Sequence, residues 1–269
     1  MKRKLLALDI DGTSVCDDYS MGIKSKEAIK LAQREGYVVA FVTGRREIDM
    51  RTIEDDQWVV DYQVLNTGSK IIRCADKKVI YNKVIPSETC EKLISYSLKK
   101  DVQLQWSNGL QWYVTKMAAS TEEYARDINL IPIVIESLDQ FEMNESIESF
   151  MAGGEWKYIA DYIDAFLPEL SYANSEPGSI DIMPRNVSKW KGIEKLAAQL
   201  DINYRDIITV GNYYNDIDML KRANIGIAVN NSADEVKKVA DYITERDNNH
   251  DVIEEIVNKL LKNEYDTTR

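Results

Sequence analysis

The chain has 269 residues, 44% hydrophobic and 29% charged, enough to bury a large core as one big domain or two smaller ones. A formal net charge of −11 argues against nucleic acid and anionic membrane as partners, because both repel an acidic surface, and no apolar run is long enough to span a bilayer. Three cysteines without CxxC spacing fit free thiols in a reducing, cytoplasmic setting, and a single histidine, His250, all but excludes histidine metal sites and Ser-His-Asp catalysis.

The first element is a strand from Lys4 to Ile10 that runs into Asp9-Ile10-Asp11-Gly12-Thr13. Residues two apart on a strand share a face, so Asp9 and Asp11 are expected side by side at its carboxyl end. Two carboxylates so placed repel unless a cation lies between them, and Gly12 permits a sharp turn whose N–H groups can meet an anion. The plain alternative is an Asp-Gly turn closing a solvated strand end. Ser25 is expected to cap a helix with apolar face Ala28, Ile29, Leu31 and Ala32, ended by Gly36. Tyr37 to Val42 reads as a strand buried on both faces, Gln63 to Leu65 as a third strand, and Ile71 to Arg73 with Val79 to Tyr81 as a hairpin.

The middle of the chain has a different texture. Ser87 to Lys100 reads as a helix, and Val102 to Trp106 with Leu110 to Thr115 as a hairpin around Asn108-Gly109. Leu130 to Ile135 and Ser179 to Met183 continue the alternation. From Ser188 helices and buried strands alternate again: helix Ser188 to Leu200, strand Asp206 to Val210, helix Asn215 to Arg222, strand Ile225 to Val229, then helices Ala233 to Ala240 and Val252 to Leu261. The pattern predicts an α/β fold. Residues 1–82 and 185–269 form a Rossmann-like, doubly wound parallel sheet core, and residues 83–184 an inserted α+β domain.

Ligands of such sheets bind beyond the carboxyl ends of the strands, and each chemically suggestive segment follows one. After the second strand come Thr43, Gly44 and Arg45, a hydroxyl and a freed backbone suited to phosphoryl oxygens, or equally a helix N-cap. After Asp206 to Val210 comes Gly211-Asn212-Tyr213-Tyr214-Asn215-Asp216, whose Asn212 and Asp216 offer oxygen ligands suited to Mg2+, or a capped polar turn. Lys189 stands at a predicted helix start, where a cation is disfavoured unless an anion is close, and Lys191 competes for the same role.

In order and spacing these segments resemble the four motifs of the haloacid dehalogenase superfamily, in particular its Cof-like phosphatases: Asp9 to Thr13, Thr43 to Arg45, Lys189, and Gly211 to Asp216. The stretch Ile227 to Thr244 is similar to the same subgroup, and the insertion falls between the second and third motifs, as its α+β cap does. The resemblance implies a Mg2+-dependent hydrolase of small phosphate monoesters that works through an aspartyl-phosphate on Asp9. Asp11 would be its acid and base, and Thr43, Gly44, Arg45 and Lys189 would hold the substrate phosphate. Asp9, Asp11, Asn212 and Asp216 would hold the metal, and the partner would be a small phosphorylated metabolite. Two positions depart from the pattern: Asn212 stands where the family has aspartate, and Trp190 where glycine usually follows the lysine. Asn212 leaves open a catalytically weak phosphate-binding protein on the same scaffold. In the inserted domain, Gln103, Gln105 and Gln111 are expected on one hairpin face and Leu104, Trp106, Leu110 and Trp112 on the other, the amides reading substrate hydroxyls or simply forming a wet sheet face.

Overall fold

The computed structural model describes residues 3–53, 60–108, 111–141, 147–176 and 178–265. It divides into two compact units, one made of Met1–Thr43, Ile53–Tyr81 and Ser188–Arg269, the other of Gly44–Thr52 and Asn82–Val187. In chain order, β1 (Lys4–Leu8), α1 (Ile23–Arg34), β2 (Tyr37–Val42), β3 (Tyr62–Leu65), β4 (Lys70–Arg73) and β5 (Lys78–Asn82) lead into the insertion. The insertion carries α2 (Ser87–Lys100), β6 (Leu104–Asn108), β7 (Gln111–Val114), α3 (Ala119–Asp127), β8 (Ile133–Val134), β9 (Phe150–Gly153), α4 (Lys157–Phe166), β10 (Leu170–Glu176) and β11 (Ser179–Pro184). The chain returns through α5 (Lys189–Gln199), β12 (Ile207–Gly211), α6 (Ile217–Arg222), β13 (Ile225–Ala228), α7 (Asp234–Lys237), β14 (Tyr242–Ile243) and α8 (Val252–Leu261).

The first unit holds an eight-stranded sheet in the order β14-β13-β12-β1-β2-β3-β4-β5. Strands β14 to β3 run parallel, and β4 turns back antiparallel on β3. Leu5, Ala7, Ala40, Val42 and Val64 meet Trp190, Ile193 and Leu196 of α5 and Met219 of α6 on one face. By strand alternation Leu6, Leu8, Val39 and Phe41 point to the opposite face, and all four are buried. Each such side chain contributes roughly 1.5–3 kcal/mol on burial, which is why these strands read as unbroken apolar runs. Helix α1 lies against β2 and packs on α8, so helices cover both faces. From β1 the chain builds outward through β2 and β3 on one side and, later, through β12, β13 and β14 on the other. The β1–β12 pair is therefore the place where strand order reverses, the usual ligand crevice of such sheets.

Local details differ from expectation for identifiable reasons. Helix α1 starts before Ser25, which lies buried inside it, and the Ser25 N–H is taken by Asp251 Oδ1 at 3.0 Å, a cap supplied from the far end of the chain. Helix α7 stops at Lys237 because the chain must extend to pair Tyr242 with Ile227. The run Leu130 to Ile135 contributes only the two residues of β8 to a sheet.

The second unit is α+β, with a six-stranded sheet in the order β10-β11-β9-β6-β7-β8. Its core packs Leu104, Trp106, Phe150, Ile180 and Ile182 against Leu93 and Ile94 of α2 and Ile159 and Ile163 of α4. The β6–β7 hairpin is present, with Gly109 and Leu110 outside the described residues. Its register sets Gln105 opposite Val114 and Ser107 opposite Trp112, pairing odd positions with even ones. Trp112 therefore stands on the face of Gln105, not opposite it, and its indole N–H donates to Gln105 Oε1 at 3.2 Å. Gln103 is buried as well and donates to the Lys116 carbonyl at 3.2 Å and to the Thr121 hydroxyl. Both amides are tied into the unit itself; only Gln111 is exposed.

The segment Gly44–Thr52, expected in the core, groups with this second unit. Arg46 forms a buried two-pronged ion pair with Asp49 (2.7 and 2.8 Å), and its guanidinium lies 5.4 Å from the centre of the Trp112 ring. Ile48 packs with Trp112, Val114 and Ile128. These are contacts between residues far apart in sequence, which local periodicity does not encode.

Candidate active site

The site forms where β1 and β12 end. The Asp9 N–H still donates to the Val210 carbonyl at 2.9 Å, so Asp9 is locked to the sheet although β1 ends at Leu8. The chain then coils: the Ile10 carbonyl accepts the N–H groups of Thr13, Ser14 and Val15 at 3.1, 2.8 and 3.2 Å, and Ser14 Oγ donates to the Asp9 carbonyl at 2.5 Å. The strand alternation expected to set Asp9 beside Asp11 stops short of Asp11. Asp9 is buried and Asp11 exposed, and the turn, not the pleat, determines where Asp11 lies. Gly12 adopts φ +67°, the left-handed region that favours glycine, and a Cβ there would sit 2.3 Å from Asn212 Nδ2 and push that amide aside.

Lys189 is the hub of the site. Only 2% exposed, it donates from Nζ to Asp9 Oδ1 at 2.7 Å and to Asp216 Oδ1 at 2.6 Å. Burial works against the ammonium charge, but the Asp216 and Asp9 carboxylates override it and raise the lysine above its ordinary range. Lys191, the rival candidate, is exposed and paired with Glu194 at 2.6 Å. Ser188 caps α5, accepting the Lys191 N–H at 3.2 Å, and so fixes the helix start at Lys189. Trp190 points into the core, where its ring meets Tyr204 edge-on. The close approach of helix to sheet is made by Gly192, whose Cβ would lie 2.4 Å from Val64 Cγ1 and 2.9 Å from Gly68 Cα.

Asp216 is fully buried and has both oxygens engaged: Oδ1 takes Lys189, and Oδ2 accepts the backbone N–H groups of Asn212 and Tyr213 at 2.9 Å each. It orients the lysine and folds the Asn212 loop. Gly211 makes room for it, since a Cβ there would fall 2.5 Å from the Asp216 carboxyl carbon. Asn212 faces the first loop, where Thr13 Oγ1 lies 2.9 Å from Asp9 Oδ2 and 3.2 Å from Asn212 Oδ1. One hydroxyl thus brings a carboxylate oxygen and an amide oxygen together. The result is an oxygen-only donor set of the kind a hard cation takes. Among the described residues no three carboxylate, imidazole or thiolate side chains converge on one point, so an ion here would lean on neutral oxygens and water.

Burial, first, and then the Asp216 charge push the Asp9 carboxyl up to about 7, against the opposing pull of Lys189. Thr43, buried at the end of β2, donates its N–H to Val64 and accepts the Thr67 N–H on its carbonyl, at 2.9 and 3.0 Å. Asn66 and Thr67 both hold left-handed backbone, φ +50° and +55°, a cost of about 1–3 kcal/mol each for a non-glycine residue. Gly68 then touches the start of α5, where a Cβ would lie 2.2 Å from the Ser188 carbonyl oxygen. The Asn66–Gly68 turn thus links Thr43 to the helix that carries Lys189. Asp9, Lys189, Asp216, Asn212 and Thr13 are in direct contact, whereas Gly44 and Arg45 lie in the second unit, where Arg45 Nη1 donates to the Asp49 carbonyl at 3.1 Å. Thr13, Ser14 and Gly211 are the site residues that motif reading undervalued; a hydroxyl pair directly after an Asp-Gly turn was the available signal.

A doubly wound sheet with an inserted α+β unit, and a buried Asp-Lys-Asp cluster at its reversal point, define a class. Residues 6–256 match the model of the haloacid dehalogenase-like hydrolases, and the chain belongs to that family. The resemblance carried by the four motifs is borne out. Among its relatives are the phosphatase YwpJ of Bacillus subtilis, 22% identical with 93% of this chain and 97% of the relative covered, and the 5-amino-6-(5-phospho-D-ribitylamino)uracil phosphatase YcsE of the same organism, 23% identical with 90% of each covered. A haloacid dehalogenase-like hydrolase from Bacteroides thetaiotaomicron shares the fold, with a TM-score of 0.83, 20% identity, and 96% of this chain and 100% of that one covered. No helix among the described residues is long and apolar enough to cross a membrane.

Proposed function

We propose that the chain is a Mg2+-dependent phosphatase of small phosphorylated metabolites that works through an aspartyl-phosphate on Asp9. The observation that carries this reading is the buried Lys189, bridging Asp9 and Asp216 at the switch point of the sheet. Asp9 is the nucleophile. Its carboxylate is held rigidly by Lys189 and Thr13, and burial keeps it more basic than a surface aspartate, hence a better attacking group. One of its oxygens attacks phosphorus as the ester oxygen departs, and Asp11 gives that oxygen a proton. Asp11 then takes a proton from the water that cleaves the acyl phosphate, returning both carboxylates to their starting state. Thr43 and Lys189 hold the phosphoryl oxygens through both steps. The Asp9 carboxylate, the Asp11 backbone carbonyl and the Asn212 amide oxygen would hold Mg2+, with Asp216 behind them as the group that positions Lys189. The ion supplies positive charge that offsets repulsion between a carboxylate nucleophile and an anionic ester.

YcsE is named for a phosphorylated ribitylamino-pyrimidine, and a metabolite monoester of comparable size is the substrate class proposed here. Asn212, neutral where a charge is expected, favours one second reading, a weakly catalytic phosphate-binding protein. A screen of phosphate esters with Mg2+, run on the wild type and on Asp9→Asn, separates the two. Phosphate release by the wild type and none by the folded variant supports the covalent route. A blank across the whole screen supports the binding scaffold.

A further inference from the structure

The turn after β13 touches both loops of the site. The Val229 N–H donates to the Gly211 carbonyl at 3.2 Å, Ser232 Oγ donates to the same carbonyl at 3.4 Å, and the Ser232 N–H closes the turn on the Val229 carbonyl at 2.9 Å. On the far side the Asn230 N–H donates to Thr244 Oγ1 at 3.0 Å. From this anchored turn Asn231 reaches to the first loop, its Nδ2 donating to the Gly12 carbonyl at 2.9 Å. A carbonyl only accepts, so the contact also fixes which way the Asn231 amide faces.

Gly12 is the softest residue in that loop. It has no Cβ, its φ is +67°, and glycine crosses the conformational map more freely than any other residue. The Asp9 and Ile10 carbonyls are tied within the loop by Ser14 and by the N–H groups of Thr13 to Val15. Asp11 and Gly12 are the two residues spanned by the turn that the Ile10 carbonyl closes on Thr13, and the Gly12 carbonyl is held from outside by the exposed Asn231 side chain. A rearrangement of this turn about Gly12 would displace Asp11 while leaving Asp9, locked to Val210 and Lys189, in place.

We propose that Asn231 is a positioning residue for proton transfer by Asp11, pinning the one glycine whose freedom would let the acid drift from the departing oxygen. The inference rests on the phosphatase reading above. It has a consequence that a merely structural contact lacks. A leaving group of low basicity, such as p-nitrophenolate, departs with little help from an acid, whereas an alkoxide needs its proton. Asp11 serves the water step for every ester alike, so the selective effect of losing Asn231, by leaving group, should appear in kcat/KM, which reports the transfer to Asp9.

The test uses purified wild type, Asn231→Ala and Asn231→Asp with saturating Mg2+, p-nitrophenyl phosphate, and the alkyl phosphate the wild type hydrolyses best. Both variants should lose about tenfold or more in kcat/KM on the alkyl ester, part of the factor that general acid catalysis supplies, and less than about threefold on the nitrophenyl ester. The melting temperature should stay unchanged. Asn231→Asp has the shape of asparagine but no donor at that position, so it should behave as alanine does. Equal losses on the two esters, no loss on either, or wild-type selectivity in Asn231→Asp would each overturn the role of Asn231 while leaving the phosphatase reading intact. A wild type that releases phosphate from no alkyl ester overturns the reading and this inference together.

Discussion

Replacing Asp9 by asparagine should change how stability depends on pH as well as abolish turnover. In the metal-free protein, burial and the Asp216 charge outweigh Lys189 and raise the Asp9 carboxyl from 3.8 to about 7. The folded protein therefore keeps a proton on Asp9 that the unfolded chain releases near pH 4. Across that interval the native state binds more protons than the unfolded state, so stability falls as pH rises. The interval spans about three pH units, each worth about 1.4 kcal/mol, so the wild type should lose on the order of 4 kcal/mol from this group between pH 4 and 7 and nothing further above it. Asp9→Asn has no proton to release there, keeps an oxygen for Thr13, and leaves Lys189 its Asp216 partner. Urea unfolding of both proteins in EDTA, at steps from pH 4 to 8.5, should show the wild type losing ground to the variant up to neutrality and then running parallel. A difference that is flat with pH, or one in which the wild type gains as pH rises, would mean that Lys189 outweighs burial and Asp216, and the electrostatic account of Asp9 would fail. Saturating Mg2+ should flatten the slope, because a cation at the site favours the ionised carboxylate.

Two further substitutions probe the metal side and the packing beneath it. Asn212→Asp restores a charge beside Asp9 and should lower the Mg2+ concentration for half-maximal rate by roughly ten- to a hundredfold, the equivalent of about 1–3 kcal/mol, with substrate preference unchanged. An unaltered half-saturation point would place Asn212 outside the metal's reach. Gly68→Ala drives a Cβ to 2.2 Å from the Ser188 carbonyl oxygen at φ +105° and should cost about 3 kcal/mol, whereas Gly36→Ala, at φ +90° with open space around it, should cost about 1–2 kcal/mol. Equal losses for the two in urea unfolding would show that the turn does not bear on the start of α5.

The core was legible because its chemistry follows its strands. Leu5 to Leu8, Tyr37 to Val42 and Ile207 to Val210 are largely apolar runs that a parallel sheet buries on both faces, and the residues after the first and third of them, Asp9, Thr13, Asn212 and Asp216, meet at the site. What stayed illegible depends on partners distant in sequence. Asp251 caps a helix that Ser25 seemed made to cap. Arg46 and Asp49 draw their segment into the second unit through Trp112. A hairpin register that pairs odd with even positions moves Trp112 to the amide face, where the amides of Gln103 and Gln105 bond within the unit. Hydrophobic period tells which residues of one strand share a face; it does not tell which residues of the next strand join them.

The same distinction separates the two oxygen donors of the fourth motif, the amide of Asn212 and the carboxylate of Asp216. In sequence Asn212 and Asp216 are interchangeable oxygen donors. In the fold Asp216 spends one oxygen on Lys189 and the other on the N–H groups of Asn212 and Tyr213, inside a space that Gly211 keeps open. Its charge is committed to a buried lysine, and removing it would leave that lysine to Asp9 alone, with two backbone donors unpaired, so its role is fixed by burial. Asn212 is half-buried and beside Thr13, free of any such commitment. A neutral residue is tolerable there because the cluster already holds two carboxylates against one ammonium, and a third would raise Asp9 further whenever the metal is absent. The neutral amide thus adds no further charge against Asp9, and the lysine bridge beneath it is left whole.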